Sequence, residues 1–319
     1  MNKLSLLITG GTGSFGRKFL QSCLSAGVYD RIVVFSRDEL KQFEMRQEYG
    51  NDERIRWFIG DVRDLERLKL ALSGVDHVVH AAALKQVDTA EYNPMEFVKT
   101  NVLGSQNVIE AAIYAGVSKV VALSTDKASS PINLYGATKL TADKLFIAGN
   151  IYGRPQGTNF SVVRYGNVVN SRGSVVPYFK NLIAQGKPLE VTDERMTRFW
   201  LKLDVAVDLV HHALEDMQGG ELYVPQIPSV KIVDLVKALD PDRPYVVTGI
   251  RPGEKLHEEM ISVEEARRGQ KRDKVYVLYP ATKVVSDEKS RFNLGDGFRY
   301  SSDTNTHWLS VEEIQKTIQ

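Results

Sequence analysis

Two groups of residues have types and spacing that could do chemistry. The first is Thr9-Gly10-Gly11-Thr12-Gly13-Ser14-Phe15-Gly16, which follows an apolar run and opens an amphipathic one. Gly10, Gly13 and Gly16 permit a tight turn and let backbone N–H groups approach a pyrophosphate at a helix N-terminus. Thr12, Ser14 and Phe15 share that turn and are candidates for the same ligand. The second group is Tyr135 and Lys139. Positions i and i+4 share a helix face, so phenol and ammonium can point at one spot. The ammonium, aided by an oxidised nicotinamide, is expected to bring the phenol below its usual value of about 10. That would make a general base for a hydroxyl at neutral pH. Such a pair is common by chance; its place after a strand ending Leu123-Ser124-Thr125-Asp126-Lys127 sets it apart. Alone, Asp126-Lys127 would read as a loop ion pair.

The elements that must position these groups alternate. Strands are expected at 4–9, 31–35, 55–59, 77–80, 119–124 and 161–165. Helices are expected at 14–26, 38–49 (with Asp38 as N-cap), 65–72, 94–115 and 132–150. Near-continuously apolar strands alternating with helices imply a parallel sheet covered on both faces: a Rossmann-type doubly wound α/β fold. After residue 167 the rhythm breaks. Helical stretches at 175–185 and 204–217 mix with short strands such as 221–224, and five prolines lie between 225 and 252. Residues 1–167 are therefore read as the dinucleotide-binding domain, its sheet completed by later segments. Residues 168–319 are read as mainly a smaller mixed α/β substrate lobe, interleaved with the first. The charged run 264–274 reads as a solvated helix end and loop.

The end of the second strand bears on which dinucleotide. It runs Phe35-Ser36-Arg37, with Lys41 a turn into the next helix. A hydroxyl, a guanidinium and an ammonium suit a 2′-phosphate, which favours NADP. Asp38 could still contact a ribose, so NAD stays open. Asp61 and Val62 follow the third strand where an adenine would rest, and Ala81 and Ala82 follow the fourth, small enough for a cofactor to pass.

The 319 residues carry 41 basic and 40 acidic side chains, so there is no bulk electrostatic case for nucleic acid. One cysteine, Cys23, excludes a disulfide scaffold and is read as core. Six histidines show no ligand spacing, and no metal site is expected; His77 and His80 face opposite sides of their strand. No apolar run approaches the ~20 residues of a membrane span. No signal-peptide pattern opens the chain, and a cytoplasmic protein without membrane contact is expected.

Taken together, TGGTGSFG, HAAA, Thr125 and Tyr-x-x-x-Lys resemble the extended short-chain dehydrogenase/reductase superfamily. More narrowly, SRDELKQFEM (36–45), FIGDVRDLERL (58–68), HAAALKQV (80–87), AEYNPMEFVKTN (90–101), LSTDKASSPINLYGATKL (123–140), RYGNVVNSRGSVVP (164–177), RMTRFW (195–200) and RPGEKLHEEMI (251–261) resemble the inverting UDP-N-acetylglucosamine 4,6-dehydratases. Relatives of this kind act first in pseudaminic acid biosynthesis. Sister enzymes that also invert C5 tend to lack the tyrosine, so Tyr135 favours the pseudaminic branch. Two departures from the family pattern are visible: Asn170 stands where glycine is expected, and Ser129-Ser130 replace a small or asparagine-containing pair.

The resemblance implies roles. Tyr135 would take the sugar 4-OH proton, with a hydrogen bond from Thr125. Asp126 would be the acid that protonates the departing 6-OH, and Lys127 the base that removes the C5 proton. Lys127 must then be neutral near pH 7, against its usual value of about 10.4, and burial, Lys139 and the nicotinamide charge are expected to push it there. Asp126 must be protonated, which needs a dry site. Retaining dehydratases carry an acid where Lys127 stands, so inversion at C5 is expected. Asn167, Arg198 and Arg251 match positions that contact the UDP-sugar, and Glu254 one that contacts the nucleoside. Lys85 matches a lysine near both cofactor and substrate, and Val168 one near the cofactor. The family forms homo-oligomers, with helices 94–115 and 132–150 as candidate contacts. A UDP-hexose or UDP-N-acetylhexosamine 4-epimerase would share Tyr135 and Lys139 but need no acid–base pair at 126 and 127. A non-catalytic NADP sensor would need none of them.

Overall fold

A computed structural model describes residues 4–169, 174–281 and 292–318. Strands β1 (Leu4–Thr9), β2 (Tyr29–Ser36), β3 (Ile55–Ile59), β4 (His77–His80), β5 (Lys119–Leu123) and β6 (Asn159–Val163) form a parallel sheet in the order β3-β2-β1-β4-β5-β6. Leu222–Pro225 continues it in parallel beside β6, and Val275–Leu278 and Gly269–Lys271 close the edge antiparallel. The order reverses between β1 and β4, and a doubly wound sheet opens its crevice at such a switch point. Helices α1 (Ser14–Ala26) and Leu203–Asp216 cover one face, through Phe19, Leu20, Leu209 and Val210. Helix α3 (Leu65–Ala71, after α2 at Glu39–Tyr49), with Gly104–Tyr114 and Leu134–Gly153, covers the other through Leu68, Val108, Ile109 and Phe146. Continuously apolar strands are explained by this double cover.

A second core of Val176, Phe179, Leu189, Trp200, Leu235 and Ile314 lies in the lobe. The chain leaves the sheet for this lobe and returns to it twice, at 203–225 and again at 269–278.

Several elements differ from the sequence reading. The helix expected at 94–115 is three pieces: Pro94–Phe97, a π-helical stretch Val98–Leu103, and Gly104–Tyr114. An additional helix, Val87–Tyr92, precedes it. The sixth strand begins two residues early, because Asn159 and Phe160 pair with Lys119 and Val120. The charged run 264–274 is not merely solvated loop. A capping box at Ser262 and Glu265 opens a short helix, and Gly269–Lys271 is an edge strand. An edge strand tolerates polar side chains, which masks it in a hydropathy pattern. Cys23 is fully buried, as expected. His77 and His80 bind different partners, the Tyr29 hydroxyl and the Thr9 hydroxyl. Asn170 lies outside the described residues.

Candidate active site

A cleft of about 550 Å³ runs along the carboxyl ends of β1, β2, β4 and β5. Gly10, Thr12, Gly13, Ser14, Phe15, Gly16, Ser36, Arg37, Asp38, Lys41, Val62, Ala81, Ala82, Lys85, Tyr135, Lys139 and Val168 line it, which gathers the proposed dinucleotide contacts in one place apart from Asp61. The turn after β1 is built for close approach. Gly10 has φ +65°, and a Cβ there would stand 2.9 Å from the Ala81 carbonyl. Only glycine adopts this φ and packs this closely against the chain after β4 at no steric cost. The turn leads into the N-terminus of α1 beside the cleft, where backbone N–H groups suit a pyrophosphate.

At the ribose end, Thr12 and Ser36 share a hydrogen bond at 2.8 Å. Asp38 caps α2 by accepting from the Lys41 amide at 3.0 Å and also pairs with the Lys41 ammonium. Asp61 is turned to arginines: Arg63 donates to it at 2.7 Å and Arg37 at 3.4 Å. The guanidinium of Arg63 holds the Asp61 carboxyl below its usual value against the opposing effect of burial. Gly60 and Val62, not Asp61, face the cleft.

The reacting end is assembled by two elements. Helix Leu134–Gly153 is capped by Asn133, whose side chain accepts from the Gly136 amide at 2.7 Å and donates to the Gly253 carbonyl at 2.8 Å. Its first turns bring Tyr135 and Lys139 to the cleft, both buried. Lys139 Nζ donates to the Leu123 carbonyl at 2.7 Å, tying the helix to the end of β5. The chain after β5 then turns through Asp126–Ala128 with Thr125 as cap. Thr125 Oγ1 donates to Asp126 Oδ1 at 2.8 Å. Lys127 Nζ reaches Asp126 Oδ1 at 3.2 Å, Asn167 Oδ1 at 3.3 Å and Glu258 Oε1 at 3.4 Å. Three acceptors match the three donors of an ammonium.

This geometry bears on the expected protonation states. Burial is the largest influence on Asp126 and raises it, as an acid requires. Lys127 goes the other way from expectation. Burial works to lower it, but the carboxylates of Asp126 and Glu258 together outweigh burial and raise it, so in the ligand-free protein it is an ammonium. Among the cations, Arg198 and Lys255, not Lys139, oppose those carboxylates. Tyr135 is also corrected: burial pushes its phenol up to about 12, and the lowering influences of Lys127 and Thr125 do not overcome it. Lys139 is lowered by burial.

A second cavity of about 690 Å³ adjoins the first and shares Lys127, Asn167 and Val168 with it. Arg198, Arg251 and Glu254 line it; Lys85 lines the cofactor cleft alone. Arg198 is nearly buried and donates to the Thr197 and Leu256 carbonyls at 2.7 and 3.0 Å, with Glu254 at 3.3 Å. Arg251 is exposed at the rim.

Three residues escaped the sequence reading. Glu258 is buried beside Lys127, and its only forewarning was a second acidic residue in RPGEKLHEEMI. Asp143 accepts from Ser124 at 2.7 Å and pairs with fully buried Arg164, which also binds Glu265 at 2.9 Å. That network braces the end of β5 from behind.

Residues 6–280 match the family described as "Polysaccharide biosynthesis protein". The chain belongs to this family. Among curated relatives, it is 52% identical to a Campylobacter jejuni "UDP-N-acetylglucosamine 4,6-dehydratase (inverting)", covering 98% of this chain and 96% of the relative. A Rickettsia conorii "UDP-glucose 4-epimerase" is 44% identical, covering 98% and 95%. Among solved structures, Pen from Bacillus thuringiensis superposes with a TM-score of 0.91 at 36% identity, covering 99% of this chain and 97% of that one. A Streptomyces venezuelae dTDP-glucose 4,6-dehydratase, solved with NAD bound, gives 0.68 at 27% identity, covering 79% and 86%. The solved structures so matched share the Rossmann-type fold described above.

Proposed function

We propose that this chain is an inverting UDP-N-acetylglucosamine 4,6-dehydratase that uses NADP. The observation that carries the reading is the placement of Lys127. It sits where the dinucleotide cleft and the second cavity meet, 3.2 Å from the Asp126 carboxyl, whose affinity for a proton burial raises. The close similarity to the C. jejuni dehydratase supports the same substrate. The greater identity to that enzyme than to the R. conorii epimerase supports dehydration over epimerisation.

When bound, the nicotinamide supplies a reversible oxidation in which hydrogen leaves sugar C4 and is returned at C6, with no net redox. The turn at Gly10–Gly16 would hold its pyrophosphate. Ser36, Arg37 and Lys41 would take a 2′-phosphate; with its carboxylate committed to capping α2, Asp38 is poorly placed to claim a ribose, which supports NADP over NAD.

The chain's own groups divide the proton work. Tyr135 takes the 4-OH proton; a positive charge brought into this dry cleft acts to lower its phenol. The C4 ketone acidifies C5–H. Lys127 needs a free lone pair to accept that proton, and Asp126 needs a proton to give to the leaving 6-OH. Moving one proton across the Lys127–Asp126 contact prepares both at once. Lys127 then takes the C5 proton as the C6–O bond breaks and water leaves. C5 is then protonated from the opposite face by Tyr135, which gives back the proton it took from the 4-OH, and inversion is complete. Arg198, Arg251, Asn167 and Glu254 hold the nucleoside diphosphate half.

We further infer a cytoplasmic homo-oligomer acting early in pseudaminic acid synthesis. Exposed Met95, Leu103, Tyr114 and Ile132 within the candidate contact segments support self-association. Among the described residues no helix is long and apolar enough to cross a membrane. The test of the reading is the product formed from UDP-N-acetylglucosamine: it should carry a C4 ketone and a C6 methyl. A product retaining its 6-hydroxymethyl group would exclude dehydration.

A further inference from the structure

The segment that carries Glu258 grips the turn that carries Lys127. Glu259 accepts from the hydroxyls of Ser129 and Ser130 at 2.9 and 2.7 Å, and Lys255 Nζ donates to the Ser129 carbonyl at 2.6 Å. Between those two anchors, Glu258 is fixed by its own backbone: its amide donates to Ser302 Oγ at 2.9 Å and its carbonyl accepts from the Ser302 amide at 2.8 Å. Its side chain is buried, which limits its rotamers. Oε1 lies 3.4 Å from Lys127 Nζ and 3.6 Å from Arg198 Nε. Oε2 is buried and has no hydrogen-bond partner among the described residues. A buried carboxylate left half-satisfied is costly unless it serves something.

We propose that Glu258 is a positioning residue for the acid–base pair: it holds the Lys127 ammonium against Asp126 in the resting site and sets the pH at which Lys127 becomes a base. The inference rests on Lys127 being the C5 base. The charged and titratable groups facing Lys127 are Asp126, Glu258, Arg198, Tyr135 and Lys255; those facing Glu258 are Lys127, Arg198, Lys255 and Asp126. Two carboxylates stabilise the ammonium and two cations oppose it. Removing the Glu258 charge shifts that balance towards neutral Lys127. Glu258 also joins Lys127 to Arg198 through one oxygen, so the proton-transfer group and the nucleotide-binding cavity share a rigid element.

The test reads the C5 proton alone. UDP-N-acetylglucosamine deuterated at C5 is incubated with NADP-loaded enzyme in ordinary water, and the exchange of that deuterium for hydrogen is followed across pH. Glu258→Gln keeps the shape and removes the charge. The rising limb of its profile should move about one pH unit lower than in the unaltered enzyme. Glu258→Asp, which keeps the charge but draws it back, should fall between the two and serves if the glutamine variant does not fold. Lys127→Ala is the reference. If it still exchanges C5, the base assignment fails, and the inference with it. If it does not exchange but both Glu258 variants keep the unaltered limb, only the inference is overturned. A merely structural Glu258 would lower the exchange rate without moving the limb.

Discussion

The carbonyl of Lys127 occupies the space where a Cβ on Gly136 would stand, only 2.2 Å from that position. The Asp126–Ala128 turn and the helix bearing Tyr135 are thus pressed together with no room for a methyl group. Gly136→Ala must push the turn away from the helix. A displacement of about 1 Å at a reacting group can cost about 100-fold in rate. We expect kcat to fall by about that factor, with a much smaller effect on NADP affinity, since most of the proposed dinucleotide contacts lie at Gly10–Gly16 and Ser36–Lys41. Steady-state kinetics and a binding titration check both halves.

Lys127→Ala separates dehydration from epimerisation. General acid–base groups contribute about 100- to 10,000-fold, so dehydration should fall by a factor in that range. An epimerase would retain most of its C4 inversion. Chromatography of the sugar nucleotides formed distinguishes the two.

Much of this site was legible because its parts are local. The glycine turn, Tyr135 with Lys139, and Thr125-Asp126-Lys127 are each contiguous or one helical turn apart, and strand–helix alternation fixed which sheet edge they share. The charge states were not legible in the same way. Lys127 was expected to be neutral, but its state depends on Glu258, which is 131 positions away in the chain and reaches the site only through the lobe's return path. Tyr135 was expected to be acidic because Lys139 is its sequence neighbour. In the fold, Lys139 spends a donor on the Leu123 carbonyl, and burial governs the phenol. The π-helical stretch Val98–Leu103 left no trace either, since a wider turn disturbs apolar periodicity only slightly.

Arg37 is half-exposed and its pairing with Asp61 is long, at 3.4 Å, so it can turn to a phosphate. Hydrogen bonds to a charged group are worth about 1.5–3 kcal/mol. Arg37→Ala should therefore raise KM for NADP about tenfold or more while leaving KM for NAD little changed. Kinetics with each dinucleotide give the ratio.

His80 is fully buried, and burial followed by the charge of Lys139 lowers it to about 3. Its unfolded value is about 6.5. The folded state therefore resists protonation that the unfolded state accepts. The contribution is complete above pH 6.5 and is lost progressively as pH falls towards 3. Between pH 7 and pH 5 the loss should be about 2 kcal/mol from this group. His77 and His211 are lowered too, so the comparison is with His80→Gln. Urea unfolding at both pH values should show a smaller drop in that variant.

The central claim is that Lys127 and Asp126 remove water across C5–C6 with inversion. Its most direct test is the product of UDP-N-acetylglucosamine made in heavy water, analysed by NMR. We expect a 4-keto-6-deoxy sugar with deuterium at C5 and the L-arabino configuration. Deuterium at C5 with retained D-xylo configuration would contradict inversion, and a product with its C5 proton intact would contradict the acid–base account itself.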